Sequence, residues 1–204
     1  MAIMTDLFDT SKETPVQNDV LRPLADRLRP QNLAEVIGQR QILGADRPLS
    51  TMLATKTLGS IIFWGPPGVG KTTIARLLAV EVNLHFIQIS AIFSGVTELR
   101  QVFKSAKIRR ENGQGTLLFV DEIHRFNKAQ QDSFLPFMEN GTIVLVGATT
   151  ENPSFELNAA VLSRSQVLVL ERLSITDLEA LAQRAEAQAK VSLPLEVAAR
   201  ISLL

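Results

Sequence analysis

Residues 61–73 read Ile-Ile-Phe-Trp-Gly-Pro-Pro-Gly-Val-Gly-Lys-Thr-Thr. An apolar run ends at Gly65, a helix-like stretch follows Thr73, and the pattern G-x-x-x-x-G-K-[ST] lies between them. A strand, a glycine loop and a helix in this order are the setting that a phosphate-binding loop requires. The glycines let backbone N–H groups turn toward phosphate oxygens, and the helix N-terminus adds partial positive charge. The stretch therefore predicts a binding site for nucleotide phosphates.

Two side chains of this loop have predicted roles of their own. Lys71 is expected to reach the β- and γ-phosphates, and the Thr72 hydroxyl is expected to coordinate Mg²⁺. The other predicted nucleotide-binding residues of the loop are Gly65, Pro66, Pro67, Gly68, Val69, Gly70 and Thr73. The alternative is a glycine-rich turn that matches by chance, and the correct flanks on both sides argue against it.

Composition narrows the class of protein. The 204 residues suit one domain and part of another, and 46% hydrophobic residues are enough for a sizeable core. The 21 basic and 21 acidic residues balance, so overall charge gives no argument for nucleic acid, although a local basic patch stays open. Without cysteine, disulfides and thiol catalysis are excluded. No long apolar run or secretion signal is recognisable, which favours a soluble cytoplasmic protein without a membrane partner.

From residue 60 onward, apolar strand-like runs alternate with helical stretches. The strand candidates are 60–64, 85–90, 116–121, 142–147 and 166–170. The helix candidates are 71–82, 96–111 and 127–138. This alternation predicts an α/β fold in which a parallel five-stranded sheet is flanked by helices on both faces.

The chain divides into three predicted parts. Residues 1–20 are polar and irregular and are expected to form a flexible arm, and residues 21–172 form the nucleotide-binding core. Residues 173–204 are expected to begin a small helical lid, because Ser174 followed by Asp177 is typical of a helix start. The chain stops at Leu204 without a polar tail, which favours an N-terminal fragment with an incomplete lid.

Two acids follow the apolar run at 117–120. Asp121 is predicted to hold Mg²⁺, and Glu122 is predicted to orient or deprotonate the attacking water. Adjacent strand residues point to opposite sides, so the two carboxylates need separate roles. The alternative is a strand that ends in solvated acids, and the phosphate-binding loop makes that reading the weaker one.

The largely apolar run at 142–148 is followed by two residues with hydroxyl groups, Thr149 and Thr150. Either hydroxyl is suited to bond the γ-phosphate or the attacking water; Thr150 is the first candidate and Thr149 the second. The alternative role is a strand cap. Arg164, in Val-Leu-Ser-Arg-Ser-Gln at 161–166, would ordinarily be read as a solvated side chain.

Together these motifs resemble the AAA+ ATPases of the clamp-loader and RuvB-like branch, which share the P-loop NTPase fold. The segment from Arg29 to Gln39 resembles the part that packs on adenine there, with Val36 and Ile37 as the contacts. Gly65 to Thr72 corresponds to Walker A, Asp121-Glu122 to Walker B and Ala148-Thr149-Thr150 to sensor 1.

Ser163-Arg164 resembles the Ser-Arg-Cys box of clamp loaders, with Ser165 in place of the cysteine. The resemblance implies that Arg164 acts as a finger on ATP bound by a neighbouring subunit, and so implies a homo-oligomer.

A narrower resemblance is to the family of replication-associated recombination protein A, to which Werner helicase-interacting protein is related. It rests on residues 119–136 and 147–158, and covers about 23–172. It implies a DNA-dependent ATPase for recombination and repair at stalled forks, associated with the bacterial nucleoid and acting on single-strand gaps or duplex ends. A sliding clamp or a single-strand-binding protein is the expected protein partner. The family's second sensor arginine and C-terminal oligomerisation region lie beyond Leu204.

Two other functions stay open. One is a clamp-loader subunit or Holliday-junction motor of the same branch, against which the His-Arg-Phe-Asn-Lys segment at 124–128 argues. The other is a non-hydrolysing, ATP-dependent recruitment switch, against which Glu122 and Arg164 argue.

Three segments give weaker indications of a binding function. Residues 4–8 faintly resemble peptides that dock on the bacterial sliding clamp, but a simple tail is favoured because the usual glutamine is missing. Arg100, Lys104 and Lys107 share one helix face, which suits DNA phosphates and a solvated surface equally. His124 and Arg125 follow Walker B and are placed to relay DNA contact to Glu122.

Overall fold

The structure, a computed structural model, describes residues 23–189. The predicted arm at 1–20, the clamp-like peptide at 4–8 and the part of the predicted lid from 190 onward lie outside the described residues.

Five parallel strands form one sheet. They are β1 (Ser60–Trp64), β2 (His85–Ser90), β3 (Thr116–Asp121), β4 (Ile143–Thr149) and β5 (Ser165–Val169), in the spatial order β2-β3-β4-β1-β5. The predicted parallel five-stranded sheet is confirmed. β4 extends beyond the expected end at residue 147, because Thr149 still pairs with Trp64. Thr149 is therefore the last residue of a strand.

Ten α-helices occur in the described part of the chain. They are α1 (Leu24–Arg27), α2 (Arg40–Leu43), α3 (Pro48–Ala54), α4 (Lys71–Glu81), α5 (Val96–Glu111), α6 (Lys128–Asp132), α7 (Leu135–Glu139), α8 (Pro153–Glu156), α9 (Ala159–Leu162) and α10 (Ile175–Ala189). Short 3-10 helices at Leu33–Glu35 and Ile123–Arg125 complete the set.

Alternating side chains of the central strands feed two hydrophobic cores. Ile61 and Phe63 of β1 belong to the core that includes Ile74 and Leu78 of α4. Ile62, between them, belongs to the core on the other face, with Leu99 and Phe103 of α5. All three β1 side chains are fully buried, and each such burial is worth roughly 1.5–3 kcal/mol. The carboxyl end of β1, where the phosphate-binding loop begins, is thus held firmly between two packed layers.

The helix predicted at 127–138 was wrong as a single element. α6 ends at Asp132 and α7 begins at Leu135. Pro136 has no N–H to donate to the Asp132 carbonyl four residues earlier, so an α-helical bond is missing at this point. The helical pattern was correct on both sides, but the chain turns between them.

α10 begins as predicted. The Ser174 hydroxyl accepts a hydrogen bond from Asp177 N at 3.2 Å, and Asp177 Oδ2 accepts one from Ser174 N at 3.0 Å. Farther along, the Arg184 guanidinium lies 2.7 Å from Glu35 Oε2, and Gln188 donates to the Arg27 carbonyl at 3.0 Å. These contacts dock α10 onto the segment that precedes the sheet. Among the helices of residues 23–189, none is long and apolar enough to cross a membrane.

Candidate nucleotide-binding site

The glycine loop connects β1 to α4 in the predicted way. Gly70 adopts φ 96° at the N-cap of α4, a left-handed conformation that favours glycine. Gly65 tolerates no side chain, because a Cβ there would lie 2.3 Å from the Leu170 carbonyl oxygen. Gly65 N also donates to the Thr149 carbonyl at 3.1 Å. The start of the loop is therefore tied directly to the end of β4.

Lys71, the first residue of α4, folds back into the loop. Its ammonium donates to the carbonyls of Gly65 and Pro66 at 2.6 and 2.8 Å, and the residue is buried. Burial lowers the pKa of Lys71, while the nearby carboxylates of Glu122 and Asp121 act in the opposite direction. Burial penalises the ammonium, and an anionic ligand at this loop would favour the charged form and so oppose that penalty.

A cleft of about 790 Å³ opens over the loop. The four residues whose side chains are predicted to hold phosphate, Mg²⁺ or the attacking water at the loop and at the end of β3 line it together: Lys71, Thr72, Asp121 and Glu122. Its other lining residues are Leu28, Arg29, Pro30, Pro67, Gly68, Gly70, Thr73, Gln88 and Leu181. Segments that are far apart in sequence thus surround one space of a size that suits a small ligand.

The donors in the cleft fit Mg²⁺ bound together with a nucleotide. Thr72 supplies a hydroxyl oxygen and Asp121 a carboxylate oxygen. Within residues 23–189 there is no cluster of three or more His, Cys, Asp or Glu that would suit an all-protein metal site. Mg²⁺ prefers oxygen ligands and usually combines one or two carboxylates with phosphates and water, so this sparse donor set agrees with such a site.

A smaller apolar pocket of about 110 Å³ adjoins the cleft. Val36 and Ile37, the residues expected to contact adenine, line it together with Val69 and Thr73 of the loop region. The two spaces are neighbours, because six residues border both of them: Leu28, Pro30, Gly68, Gly70, Thr73 and Leu181. An apolar slot beside a phosphate loop is suited to a flat base.

Several residues of this pocket were not predicted from the sequence. Leu28 precedes the recognised motif, while Leu181 and Arg184 come from α10. Arg184 lies 2.7 Å from Glu35 Oε2. The pKa of Glu35 is lowered, mainly by the hydrogen bond from Gln31 N and next by the hydrogen bond from Arg184. No local pattern in the sequence marks Leu181 and Arg184 as pocket residues, because only the docking of α10 brings them to the loop.

Gln39 has a structural role that the motif did not reveal. It is buried and adopts φ 57°, unusual for a residue other than glycine. Its amide nitrogen donates to the Glu171 carbonyl at 2.8 Å, and its amide oxygen accepts from Glu171 N at 3.2 Å. This paired contact fixes the segment that is predicted to contact adenine to the connection between β5 and α10.

Glu122 lies just after β3 with φ 50° in the left-handed region. Its Oε2 is 3.5 Å from the Thr150 hydroxyl and 3.3 Å from His124 Nδ1. Nδ1 is in turn 2.9 Å from the hydroxyl of Thr149, which is fully buried. Of the two candidate threonines, Thr150 therefore faces the Glu122 carboxylate directly, and Thr149 contacts it only through His124.

Arg164 lies away from the cleft of its own chain. It immediately precedes β5, whose first residue pairs with Ser60 at the start of β1, whereas the glycine loop follows Trp64 at the other end. The five residues of β1 span about 16 Å. Arg164 pairs with Glu139 at 2.6 Å and donates to the Ala160 carbonyl at 3.0 Å. The structure therefore does not bring Arg164 together with Lys71 or Glu122.

The predicted basic face lies on α5. Arg100, Lys104 and Lys107 line a largely apolar groove of about 710 Å³. Phe103 and Phe137 also line it, and their rings stack 4.1 Å apart. The groove shares no lining residue with the nucleotide cleft, and contact between these cations and DNA stays a prediction.

With this geometry, the class of the protein follows from comparison with known families. The family model described as "ATPase family associated with various cellular activities (AAA)" matches residues 61–173, from the first buried residues of β1 to the connection into α10. The match covers more than half of the chain, and the chain belongs to this family.

The relatives agree with the narrower resemblance. The chain is 52% identical over 162 residues to "Replication-associated recombination protein A" of Escherichia coli (strain K12), covering 79% of this chain and 36% of the relative. It is 46% identical over 162 residues to "ATPase WRNIP1" of Dictyostelium discoideum, covering 79% of this chain and 18% of that protein. The predicted resemblance is confirmed, and the chain spans about a third of the length of the bacterial relative.

A solved structure supports the same branch. The Thermotoga maritima RuvB Holliday junction branch migration motor superposes with a TM-score of 0.65 at 27% identity. The match covers 82% of this chain and 56% of that one. The predicted α/β fold of the P-loop class, with a parallel five-stranded sheet, is thereby confirmed.

Proposed function

We propose that the chain binds and hydrolyses ATP with Mg²⁺ and couples hydrolysis to remodelling of DNA or of a replication complex at stalled forks. The observation that carries the proposal is the single cleft lined by Lys71, Thr72, Asp121 and Glu122. A cation, a hydroxyl and two carboxylates at a glycine loop are the set of groups that phosphoryl transfer to water needs.

Each side chain has one task in the proposed reaction. Lys71 and the loop N–H groups stabilise negative charge on the β- and γ-phosphates. Thr72 and Asp121 hold Mg²⁺, which neutralises charge on the same phosphates. Glu122 accepts a proton from the attacking water, whose oxygen bonds to the γ-phosphorus as ADP leaves. The Thr150 hydroxyl, 3.5 Å from Glu122, helps to hold that water in line.

Base recognition belongs to the adjoining pocket. Val36 and Ile37 pack on adenine, and Leu181 of α10 lines the same pocket. Because α10 borders both cavities, nucleotide binding is expected to draw the helix and the core together. The proposed boundaries follow from this: the core extends to residue 172, and the lid begins at 173.

Arg164 serves a neighbouring subunit in this proposal. Its position at the edge of the sheet opposite the glycine loop supports a role in trans rather than in its own cleft. Hydrolysis then requires a homo-oligomer in which each Arg164 faces the γ-phosphate held by the next subunit.

The biological setting is inferred from the relatives. The chain is 52% identical over 162 residues to a protein named for replication-associated recombination, which supports action on DNA junctions or ends, in recombination and repair. We place the protein in the bacterial cytoplasm near the nucleoid and the fork. The sliding clamp and single-strand-binding protein are the proposed protein partners.

The likeness to RuvB supports a second candidate. A Holliday-junction motor, or a clamp-loader subunit, would use the same cleft. Branch-migration and clamp-loading assays separate these functions from the first, because only a motor moves a junction and only a loader closes a clamp on DNA. A recruitment switch, the third candidate, would bind ATP without turnover.

The first test is the ATPase rate of the purified protein with and without gapped or forked DNA, beside Glu122→Gln. We expect turnover that DNA stimulates and that Glu122→Gln abolishes, while binding of a fluorescent ATP analogue is retained. Binding without turnover in the unaltered protein would overturn the proposal in favour of the switch. An ATPase rate that is the same with and without DNA would contradict the proposed coupling of hydrolysis to DNA.

A further inference from the structure

His124 is buried against the carboxylate that is proposed to activate water. Only 6% of its side chain is exposed, and Nδ1 lies 3.3 Å from Glu122 Oε2. The intervening turn brings the two side chains together: Glu122 is left-handed, and Arg125 N donates to the Glu122 carbonyl at 2.8 Å. The contact between the two side chains is therefore built into the turn that follows β3.

The hydrogen-bond pattern indicates which group donates. A carboxylate oxygen and an unprotonated ring nitrogen are both acceptors and would repel at 3.3 Å. With hydrogen on Nδ1, the ring donates to Thr149 Oγ1, which lies 2.9 Å away, and the same polar edge of the ring lies in electrostatic contact with Glu122 Oε2 at 3.3 Å. The Thr149 hydroxyl then keeps its own hydrogen for the Glu151 carbonyl at 3.2 Å and accepts from Glu151 N at 3.0 Å. Nδ1 and the Thr149 hydroxyl each have a hydrogen-bond partner in this arrangement.

Thr149 continues the connection to the phosphate-binding loop. It is the last residue of β4 and is fully buried, and its carbonyl accepts from Gly65 N at 3.1 Å. A chain of contacts therefore runs from the first residue of the loop, through Thr149 and the His124 ring, to the Glu122 carboxylate. The His124 side chain is 6% exposed and that of Glu122 25%, and polar networks largely shielded from water restrict the orientation of their members.

We propose that His124 is a positioning residue that orients the Glu122 carboxylate and ties it, through Thr149, to the start of the phosphate-binding loop. The inference rests on the proposed ATP hydrolysis for its kinetic consequence, but not for the contact itself. Movement of the loop or of the turn at 123–125 would pass to the carboxylate through this ring. His124 touches no reacting atom in this role.

Kinetic constants of two substitutions test the consequence. His124→Ala is expected to lower kcat by about tenfold or more and to leave KM for ATP within about twofold, because only the orientation of the base changes. His124→Asn should restore most of kcat, since its amide nitrogen occupies the place of Nδ1 as a donor. His85→Ala is the matched control: the chain has two histidines, and His85 lies at the start of β2.

A double substitution tests the link to β4. Thr149→Val removes the hydroxyl at nearly constant volume. If both residues act through one contact, His124→Ala combined with Thr149→Val should lower kcat no further than His124→Ala alone. Multiplied effects of the two substitutions would contradict the proposed link.

A spectroscopic measurement tests the contact without hydrolysis. With two histidines in the chain, imidazole ¹⁵N–¹H spectra contain two ring systems. Glu122→Gln and Thr149→Val should each shift the His124 ring resonances and leave those of His85 in place. If the unaltered protein proved not to turn over ATP, the proposed function would fail, and these spectra would still decide the contact.

Three outcomes would overturn the inference. The first is an unchanged kcat in His124→Ala. The second is a loss of activity that His124→Asn does not recover and that comes with a raised KM and a lowered unfolding midpoint. The third is that neither Glu122→Gln nor Thr149→Val shifts the His124 resonances. The second outcome would mean that the ring serves only to stabilise the fold.

Discussion

Two neighbouring threonines at the end of β4 show how much depends on a single side chain. Thr149 is fully buried and bonds His124, whereas Thr150 is half-buried with its hydroxyl toward Glu122. Strand geometry sends adjacent side chains to opposite sides, so the two hydroxyls have different neighbours although they are one residue apart. The order of preference between them therefore has a structural basis, while the catalytic role of Thr150 stays a prediction.

Thr150→Val should slow ATP turnover by about tenfold or more, because it removes the hydroxyl beside Glu122 and keeps the shape of the side chain. Nucleotide binding should change little. Steady-state ATPase rates and titration with a fluorescent nucleotide measure the two effects. Thr51→Val, on the exposed side of α3, is the matched control. Unchanged turnover in Thr150→Val would show that the hydroxyl takes no part.

At the scale of elements, α10 owes its position to its first turn and to its contacts with the segment before the sheet. Hydrogen bonds from the Ser174 hydroxyl, and then from Ser174 N, lower the pKa of Asp177. A lowered carboxyl pKa means that the stabilisation is present above the ordinary pKa of aspartate. It is lost as the pH falls through the lowered value.

Ser174→Ala should destabilise the start of α10 by about 1 kcal/mol at neutral pH, as is usual when an N-cap is removed. The difference from the unaltered protein should shrink in strong acid, where Asp177 is protonated in both. Urea unfolding at several pH values measures the effect, and an NMR titration should find the pKa of Asp177 raised. Gln183→Ala, exposed on the same helix, is the control. Equal midpoints at neutral pH would contradict the assignment of the cap.

A separate prediction concerns the basic residues of α5 that line the apolar groove. Charge reversal at Arg100 and Lys104 together should weaken DNA binding and make its dependence on salt less steep. The slope of log K against log salt should fall by roughly 0.9 for each phosphate that the altered helix no longer neutralises. Arg110→Glu, on the same helix but outside the groove, provides the comparison. If binding and slope were the same in all three proteins, α5 would be a solvated face.

At the scale of the whole molecule, the arrangement of the sheet separates the two halves of the proposed catalytic machinery. The glycine loop lies at the carboxyl ends of the strands, and Arg164 lies at their amino ends. The Arg164–Glu139 pair is 41% and 53% exposed, and exposed pairs are worth only about 0–1 kcal/mol. Releasing Arg164 to a neighbour would therefore cost little compared with what an arginine finger contributes.

Arg164→Ala should bind ATP normally and turn it over about a thousandfold or more slowly, as expected for an arginine finger. Mixing it with Lys71→Ala should recover part of the activity, because the first protein supplies an intact loop and the second supplies the finger. Glu139→Gln should keep turnover, since it frees Arg164 without removing it. Full activity of Arg164→Ala alone, or no recovery on mixing, would rule out a finger in trans.

Local patterns in the sequence were sufficient for much of the fold and the site. The loop from Gly65 to Thr72, the two acids at the end of β3 and the five strands were all recognisable, because strand burial, glycine conformation and helix starts depend on residues within a few positions of each other. The break between α6 and α7 was missed even though Pro136 marks it, because the helical periodicity continues on both sides.

Tertiary structure alone decided the remaining features. The placement of Leu181 and Arg184 against the pocket that is predicted to hold the base depends on how α10 packs over a segment 149 residues away. The contact among Glu122, His124 and Thr149 depends on β3 and β4 being neighbours in the sheet. The separation of Arg164 from the loop depends on the register of β5 with β1. Such relations arise from long-range packing, and no local sequence pattern encodes which distant surfaces will meet.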